Sequence, residues 1–506
     1  RSDVVTLYQG GQFHLYTFKK YTDVRLVFAP EFDIAFFGGD PDNFEYPRYD
    51  LDVCFFRAYE GGKPARPKHS LKWSPSGGQD GDLIFVAGHP GRTSRLNTVA
   101  HLEYLRDVAF PFTLELLRDR EAFLRDYAKR GAEQARQSKE DRFGYQNAIK
   151  ARAGGLEGLK DEALMARKAE QERALRVRVQ ADPQKRAAYG AAWDKIAGAQ
   201  EVAARINKRY NFLERGFAFD SDLFSIARTL VRLAEERGRP NPDRLREYRD
   251  SALDSLKLQL FSDAPIYPEY EKAKLAHSLG SWERTMGADD PMVGRVLRGR
   301  TPEQAADALV DGTKLADVSV RKKLAEAGIE AIAHLDDPMI KLALAIDADA
   351  RAVRKQFEDE VEGVLTAQYA LIARAIFAEQ GASTYPDATF TLRLAFGTIK
   401  GYELDGKSIP PFTTIGGAFE HALAHGNTPP YVLPPSWFEA KNGGRLRLDT
   451  PLNFVSTADI IGGNSGSPVV NRDHEVVGLI FDGNIQSLVL DFVYDDRLAR
   501  AVSVDS

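Results

Sequence analysis

The chain has 506 residues and a formal net charge of −5; 43% of its residues are hydrophobic and 28% are charged. This composition is typical of a globular protein of roughly three domains, and it excludes a mainly disordered chain, a collagen-like repeat and a disulfide-stapled mini-protein. The near-neutral charge and the lack of a long uncharged apolar stretch argue against a nucleic-acid partner and against a membrane span.

The first zone, residues 1–103, is predicted to be β-rich. Short apolar runs alternate there with glycine and proline turns; three of the runs are 24–28, 53–56 and 83–86. Many short strands between turn residues favour a sandwich or a barrel. Asp33 and Asp52 each stand before an apolar run, so each qualifies as the first residue of a buried strand. Cys54, the single cysteine, is predicted to be a small core side chain.

The middle zone, residues 104–381, is predicted to be helical. Charged residues are dense there, and apolar residues recur at spacings of three and four, as at Leu223, Ile226 and Leu230. Ser221 stands where a helix N-cap is expected. We interpret the charged run from 118 to 178 as solvated helix faces rather than as a surface for a polyanion.

The last zone, residues 382–506, returns to short apolar runs broken by glycine and proline, as at 390–394 and 476–481. The chain shows no internal repeat of fixed period. The economical interpretation is therefore one β architecture split by a helical insertion, with domains 1–103, 104–381 and 382–506.

The strongest local motif is Gly-Gly-Asn-Ser-Gly-Ser-Pro at 462–468, which two valines follow. A serine acts as a nucleophile when its hydroxyl is exposed and a base removes its proton, and the developing oxyanion needs fixed donors. Glycines around Ser465 permit a tight turn that directs the N–H groups of Gly463 and Ser465 at one point. The string resembles the nucleophile turn of chymotrypsin-fold serine peptidases.

The triad acid is ambiguous on pattern alone. In that fold the chain order is His, Asp, Ser, and the acid should lie at the start of a buried strand of the first barrel. Asp33 and Asp52 satisfy this pattern almost equally, and Asp50 is a third candidate.

Longer strings carry a closer resemblance, which spans essentially the whole chain. Residues 37–52, 88–93, 385–393 and 481–484 look like the corresponding strings of bacterial serine peptidases of the dipeptidyl-peptidase 7 and dipeptidyl-peptidase 11 type. The resemblance implies a chymotrypsin-like double β-barrel interrupted by a large all-α insertion. It also implies that the N-terminal part of the first barrel is absent from this chain.

The same resemblance implies roles for individual residues. It makes Asp52 the triad acid and leaves Asp33 as a surface or turn residue. An enzyme that removes dipeptides must bind a free α-ammonium, and Asn43 and Asp482 match the family positions for that task. Phe44 stands where relatives often carry tryptophan. Asn147 is a weaker match to an asparagine of the helical domain that closes the site.

Specificity is predicted from one position. Family members that cut after Asp or Glu carry an arginine eighteen residues beyond the serine, where this chain has Gly483. Without a cation there, an acidic side chain would be buried unpaired, which is costly. We therefore expect a hydrophobic residue before the scissile bond, as in the dipeptidyl-peptidase 7 branch.

The catalytic histidine is not found at its expected place. His14 precedes Asp52 but lies in a strand-like run, and His89 lies in a glycine-proline turn. We expect the base upstream of Arg1 and expect this chain by itself to be inactive. His421 and His425 are one helical turn apart, but the sequence offers no third metal ligand, so we predict no metal site and no cofactor.

The predicted function is thus a serine exopeptidase that releases dipeptides from peptides with a free N-terminus. An endopeptidase of the same fold and an inactive, peptide-binding relative are the alternatives. The resemblance further suggests a homodimer and a periplasmic or otherwise exported protein.

Overall fold

The computed structural model describes residues 2–380 and 385–506. These residues form two compact units: the first comprises Arg1–Leu114, Gln146–Ala197 and Thr366–Ser506, and the second comprises Glu115–Tyr145 and Gly198–Leu365. The boundary predicted at 381–382 lies outside the described residues. The division into three domains stays a prediction.

The N-terminal part of the chain consists of short strands and two single-turn helices. The strands are β1 (Ser2–Leu7), β2 (Gln12–Thr17), β3 (Asp23–Phe28), β4 (Phe55–Glu60), β5 (Lys63–Pro64), β6 (Lys72–Trp73) and β7 (Leu83–Gly88). The helices are α1 (Phe32–Ala35) and α2 (Gly39–Asp42).

The middle of the chain is helical from residue 99 to residue 380. Its helices are α3 (Val99–Tyr104), α4 (Phe110–Ala128), α5 (Ala132–Lys160), α6 (Glu162–Ala181), α7 (Pro183–Tyr189), α8 (Ala192–Arg209), α9 (Asp222–Arg237), α10 (Asp250–Leu260), α11 (Pro268–Met286), α12 (Pro291–Leu297), α13 (Pro302–Asp311), α14 (Val318–Ala325), α15 (Ile329–Ala333), α16 (Pro338–Phe357) and α17 (Gly363–Gln380). The predicted cap at the start of α9 is confirmed, because the Ser221 hydroxyl accepts a hydrogen bond from the Phe224 N–H at 3.2 Å.

Strands return in the C-terminal part. They are β8 (Arg393–Thr398), β9 (Tyr402–Leu404), β10 (Lys407–Ile409), β11 (Phe412–Thr414), β12 (Pro451–Ser456), β13 (Pro468–Val470), β14 (Glu475–Gly483) and β15 (Ala501–Asp505), with helices α18 (Ile415–Ala424) and α19 (Pro435–Asn442). A short 3₁₀ helix, Ile485–Asp491, follows β14.

The largest sheet joins strands from both ends of the chain. Its order is β11-β12-β15-β14-β13-β7-β8, and β6 pairs with β14. An isolated bridge between Ile399 and Ser456 links the end of β8 back to β12. The pairing of β7 with β13 brings the first β-rich zone against the strand that follows the serine motif.

The core of this sheet is formed by β-branched and aromatic residues, which suit a pleated buried surface. Ile84 on β7, Phe454 on β12 and Val469 on β13 are each 0% exposed and belong to one apolar cluster. The strand that follows the serine motif, β13, therefore packs in one core with strands from both β-rich zones.

Three expectations drawn from the local pattern alone in the first β-rich zone are wrong. Residues 32–35 form a helix, so Asp33 does not begin a strand. The strand after Asp52 begins only at Phe55, and Phe55 and Phe56 are 39% and 61% exposed. Cys54 is exposed rather than part of a core. Alternation of apolar residues was absent from this segment, and a continuous apolar run does not by itself indicate burial.

Within the described residues, one helical run, Pro338–Glu379, is long and apolar enough by length and composition to cross a membrane. The core helix of a soluble protein can pass the same test, and 33% of the apolar window of this run is buried. The predicted absence of a membrane span stays a prediction.

Candidate active site

The serine motif forms a tight turn between β12 and β13. The Asn464 side-chain oxygen accepts a hydrogen bond from the Ile461 N–H at 3.1 Å, and the Asn464 carbonyl accepts one from the Ser467 N–H at 2.8 Å. The Gly466 N–H donates to the Ile480 carbonyl of β14 at 2.7 Å. The exposed Ser465 hydroxyl contacts the Phe481 carbonyl at 3.4 Å. Hydrogen bonds on both sides of Ser465 thus fix the backbone of the turn, and the turn presents the hydroxyl at its surface.

Gly463 is required for this conformation. Its φ is +105°, in the region that favours glycine. A Cβ atom at this position would lie 2.6 Å from the His89 carbonyl oxygen and 2.7 Å from the Gly91 nitrogen. The turn at 88–91 therefore packs directly against the serine turn, and the backbone approach leaves no room for a side chain.

Ser465 opens into a cavity of about 470 Å³ that lies wholly within the first compact unit. Asp52, Asn43, Phe44, Asn147, Asp482 and Gly483 also line it. The fold therefore brings together the residues predicted to serve as the nucleophile, the triad acid and the substrate-binding groups. Some of these residues lie more than 400 positions apart in the sequence.

Asp52 lies in an extended segment just before β4, and its side chain is exposed to the cavity. Protein packed around its other sides raises the pKa of this carboxyl; nearby Arg48 opposes the shift and Asp482 adds to it. Among the residues that the structure describes, none donates a hydrogen bond to the Asp52 carboxylate. The group is thus available to a donor that enters the cavity.

Asp482 and Asn43 lie at one end of the cavity. The Asp482 carboxylate accepts hydrogen bonds from the N–H groups of Phe44 (3.1 Å) and Gly483 (2.8 Å). The Asn43 side-chain amide donates to the Asn147 side-chain oxygen of α5 at 3.1 Å. A carboxylate beside two amide oxygens is an arrangement that suits an ammonium group.

The loop that carries Asn43 and Phe44 is held by the second β-rich zone. Asp42 contacts His421 Nε2 at 3.1 Å and accepts a hydrogen bond from the Tyr431 hydroxyl at 3.2 Å. The His425 ring stacks on Tyr431 with centroids 3.8 Å apart. His421 therefore has a structural partner. Within residues 2–380 and 385–506 no group of three side chains is arranged to hold a metal, and the predicted lack of a metal site stays a prediction.

The cavity wall beyond Gly483 continues along the 3₁₀ helix. Leu488 and Asp491, three residues apart on one face of that helix, both line the cavity. Burial raises the pKa of the Asp491 carboxyl to about 6, against the opposing effect of Arg152 and Arg95. Arg92, an exposed side chain, also lines the cavity.

Sequence reasoning assigned no role to Arg92, Asp491 or Arg48. Arg48 stands inside the string 37–52 that carries the family resemblance, so its position was a signal that could have been followed. Asp491 had no comparable signal, because only the pairing of β14 with its neighbours carries the following helix to the cavity.

No histidine is among the described residues that line the cavity. His14 lies on β2 with an exposed side chain, 3.3 Å from the Gln12 side-chain oxygen. His89 is exposed in its turn, with its ring 6.5 Å from that of Phe390. The location of the catalytic base stays a prediction.

Comparison with known proteins shows the family of the chain. The family model described as Peptidase S46 matches residues 1–506. The chain belongs to the peptidase S46 family. The predicted relationship to dipeptidyl-peptidases 7 and 11 is thereby confirmed, and at the level of the family the prediction of a serine-type dipeptidyl peptidase is confirmed as well.

Two differently named kinds of dipeptidyl-peptidase are similar to the chain. An Asp/Glu-specific dipeptidyl-peptidase of Shewanella putrefaciens is 29% identical, covering 100% of this chain and 74% of the relative. A dipeptidyl-peptidase 7 of Phocaeicola vulgatus is 25% identical, covering 100% of this chain and 72% of the relative.

The fold is similar to that of a solved S46 structure. The crystal structure of Porphyromonas endodontalis DPP11 in complex with the dipeptide Arg-Glu matches with a TM-score of 0.79 at 24% identity, over 100% of this chain and 74% of that chain. At this identity the likeness shows the fold alone, and it confirms the predicted mixture of a large helical part and several sheets.

Proposed function

We propose that the cavity is the active site of a serine exopeptidase that releases dipeptides from the free N-terminus of peptides. The observation that carries this proposal is that the Ser465 hydroxyl and the Asp482 carboxylate line one cavity of about 470 Å³. A carboxylate at a fixed place near the nucleophile selects substrates by their α-ammonium. That requirement makes the enzyme an exopeptidase rather than an endopeptidase.

The proposed reaction is acyl transfer. Ser465 Oγ attacks the carbonyl carbon of the second residue while a histidine accepts its proton, and the N–H groups of Gly463 and Ser465 stabilise the oxyanion. The protonated histidine, oriented by Asp52, returns the proton to the leaving amine. Water then attacks the acyl-enzyme and releases the dipeptide. Since no described residue that lines the cavity is a histidine, we propose that the base enters the cavity from elsewhere.

The finer architecture is also a proposal. We propose a chymotrypsin-like double barrel with an all-α insertion, and the bridge between Ile399 and Ser456 supports closure of the second barrel. The family resemblance is the support for a homodimer and for export to the periplasm.

Substrate hydrolysis tests the assignment. We expect the chain alone to release little fluorophore from a dipeptidyl-aminomethylcoumarin, and we expect added imidazole, as a replacement base, to increase the rate. The Ser465→Ala variant should stay at background with imidazole, because it lacks the nucleophile. Cleavage of the N-acetylated substrate at an equal rate would identify an endopeptidase, and substantial hydrolysis without imidazole would contradict the missing-base proposal.

For the residue before the scissile bond we propose a hydrophobic preference. Gly483 itself supplies no cation, and the apolar side chains of Ile460, Ile461 and Leu488 are among the described residues that line the cavity. The Asp491 carboxylate at the same wall would repel an acidic substrate side chain.

A second candidate is a preference for Asp or Glu, which the named specificity of the Shewanella relative favours. The cation for such a substrate would be Arg92, which lines the same cavity. The two preferences predict different effects of Arg92→Ala: the acidic preference depends on that guanidinium and should be lost, whereas a hydrophobic preference should not change.

An engineered arginine provides the matched test. At position 483 a Cβ atom would lie 2.3 Å from the Ser487 hydroxyl, so the variant should combine Gly483→Arg with Ser487→Gly. We expect the double variant to raise the association constant of Leu-Glu, relative to that of Leu-Phe, by about tenfold or more. This is the range of a buried charge-assisted contact. The Ser487→Gly variant is the control. A native protein that already prefers Leu-Glu and loses this preference in Arg92→Ala would support the second candidate.

A further inference from the structure

Arg48 is a fully buried cation at the end of the cavity where Asp482 and Asn43 lie, with an exposed fraction of 2%. Its Nε and Nη2 atoms contact Asp50 Oδ2 at 2.9 and 2.8 Å. Its Nη1 atom contacts Asp482 Oδ2 at 3.0 Å and also donates to the Asp42 main-chain oxygen. One guanidinium therefore ties the loop that carries Asn43 to the carboxylate that ends β14.

The charges around Arg48 explain why it can be buried. Burial works to lower the pKa of Arg48, but Asp50 and Asp482 outweigh it and the pKa is raised. A buried ion pair is tolerated when its hydrogen bonds are satisfied, and removal of one partner leaves an uncompensated charge. Arg48 is thus the common counter-ion of two carboxylates that are 0% and 10% exposed.

The ionised state of the Asp482 carboxylate depends on Arg48. Burial raises the pKa of the Asp482 carboxyl, and Arg48 is the strongest influence that lowers it. The two N–H groups that it accepts, from Phe44 and Gly483, favour the ionised form as well. Without Arg48, a carboxyl in this position would more readily take up a proton and cease to attract an ammonium group.

The orientation of Asp482 depends on the same contact. Arg48 Nη1 and the Phe44 N–H both donate to Oδ2, and the Gly483 N–H donates to Oδ1, so the three donors together fix the orientation of the carboxylate. Arg48 also lies over the Phe481 ring, 5.6 Å from its centroid, next to the residue whose carbonyl Ser465 contacts. The guanidinium therefore contacts both residues of the segment 481–482.

We propose that Arg48 is a positioning residue for substrate recognition: from behind Asp482 it holds that carboxylate ionised and oriented toward the α-ammonium of the peptide. The inference rests on the proposed function, since it requires Asp482 to bind the substrate N-terminus. Arg48 itself does not bind the peptide. The opposite effect, repulsion of the ammonium by a nearby cation, predicts the opposite outcome when Arg48 is removed.

The chain offers a matched control. Arg500 is 3% exposed and lies in the same compact unit, but among the described residues its guanidinium donates to main-chain carbonyls alone, including those of Lys400 and Gly401. Arg500→Met thus removes an equally buried guanidinium that stabilises the fold without contacting a carboxylate. A general loss of stability should affect Arg48→Met and Arg500→Met alike.

The test is the ratio of the dissociation constants of N-acetyl-Leu-Phe and Leu-Phe, measured by calorimetry on the full chain. We expect the native protein and Arg500→Met to prefer the free amine by about tenfold or more, and Arg48→Met to bind both peptides about equally. Arg48→Lys, which keeps the charge but not both contacts, should fall between them. The pH below which the preference is lost should rise in Arg48→Lys, because a weaker pair leaves the pKa of Asp482 higher.

The outcomes separate this inference from the function on which it rests. If the native protein does not prefer the free amine, the exopeptidase proposal fails and the role of Arg48 fails with it. If the native protein prefers the free amine and both Arg48 variants keep that preference with the same pH dependence, only the role of Arg48 is wrong. Tighter binding of Leu-Phe by Arg48→Met would show that the cation repels the ammonium, which also overturns the inference.

Discussion

The two walls of the cavity are held in different ways. The serine turn, 462–467, is fixed by backbone hydrogen bonds and by the close approach of glycine backbones. The wall formed by Asn43, Phe44 and Asp482 is fixed by buried charges, with Arg48 between Asp50 and Asp482. Backbone geometry is insensitive to pH, whereas a buried charge cluster is not. We therefore expect the two walls to fail under different perturbations.

The two ways of holding the walls also suit the chemistry proposed for each wall. Oxyanion stabilisation needs donors that stay fixed during the reaction, and main-chain N–H groups in a tight turn meet that need. Recognition of an ammonium group needs a negative charge, which must be kept ionised in a partly buried place. A counter-ion such as Arg48 meets the second need at the expense of a site whose stability depends on pH.

The largest effect is expected on the serine wall. Gly463→Ala forces a residue with a side chain to adopt a φ of +105° and places its Cβ against the backbone of 89–91. We expect a loss of about 2 kcal/mol or more in the free energy of unfolding, measured by urea denaturation. Gly462→Ala is the control, because a Cβ there meets nothing within 4 Å. Equal effects of the two substitutions would show that the turn is not held by backbone contact.

A smaller, pH-dependent effect is expected on the charged wall. Burial raises the pKa of Asp50 to about 7, from 3.8, against the opposing effect of Arg48. The folded protein then binds this proton more tightly than the unfolded chain, so the contribution of Asp50 to stability is greatest below pH 4 and falls until about pH 7. Asp50→Asn removes this titration.

The measurement is the Tm of Asp50→Asn minus that of the native protein between pH 5 and 8. We expect this difference to increase up to about pH 7 and then to level off, since the native protein alone loses stability over that interval. Asp33→Asn, which alters an exposed carboxylate on α1, is the control and should show no such trend. A flat difference for Asp50→Asn would contradict the raised pKa of Asp50 in the folded protein.

The two walls also differ in how far the sequence predicts them. The serine turn was predicted because its determinants are local: glycines and a serine within seven residues suffice to indicate a tight turn with an exposed hydroxyl. The zones of strands and helices were predicted for the same reason, since periodicity and turn residues act over short distances. The local pattern left Asp33 open as a possible start of a strand, since a short apolar run fits both helical and extended conformations; residues 32–35 form a helix.

The charged wall could not be predicted in this way. Asp482 and Asn43 were assigned through the family resemblance, but nothing local indicated that Arg48 would contact Asp482, which is 434 residues away. Nor did the sequence around Cys54 reveal that the residue is exposed. Burial and ion pairing depend on which segments become neighbours.

For this chain, then, the sequence alone determined the family, the nucleophile turn and the order of β-rich and helical zones. These are properties of short segments and of their resemblance to known strings. Only the tertiary structure decided that a carboxylate, an amide pair and the serine hydroxyl share one cavity, and that a single guanidinium lies behind them. The reason is physical: the charge state of a buried group is set by its spatial neighbours, which the pairing of distant strands brings together.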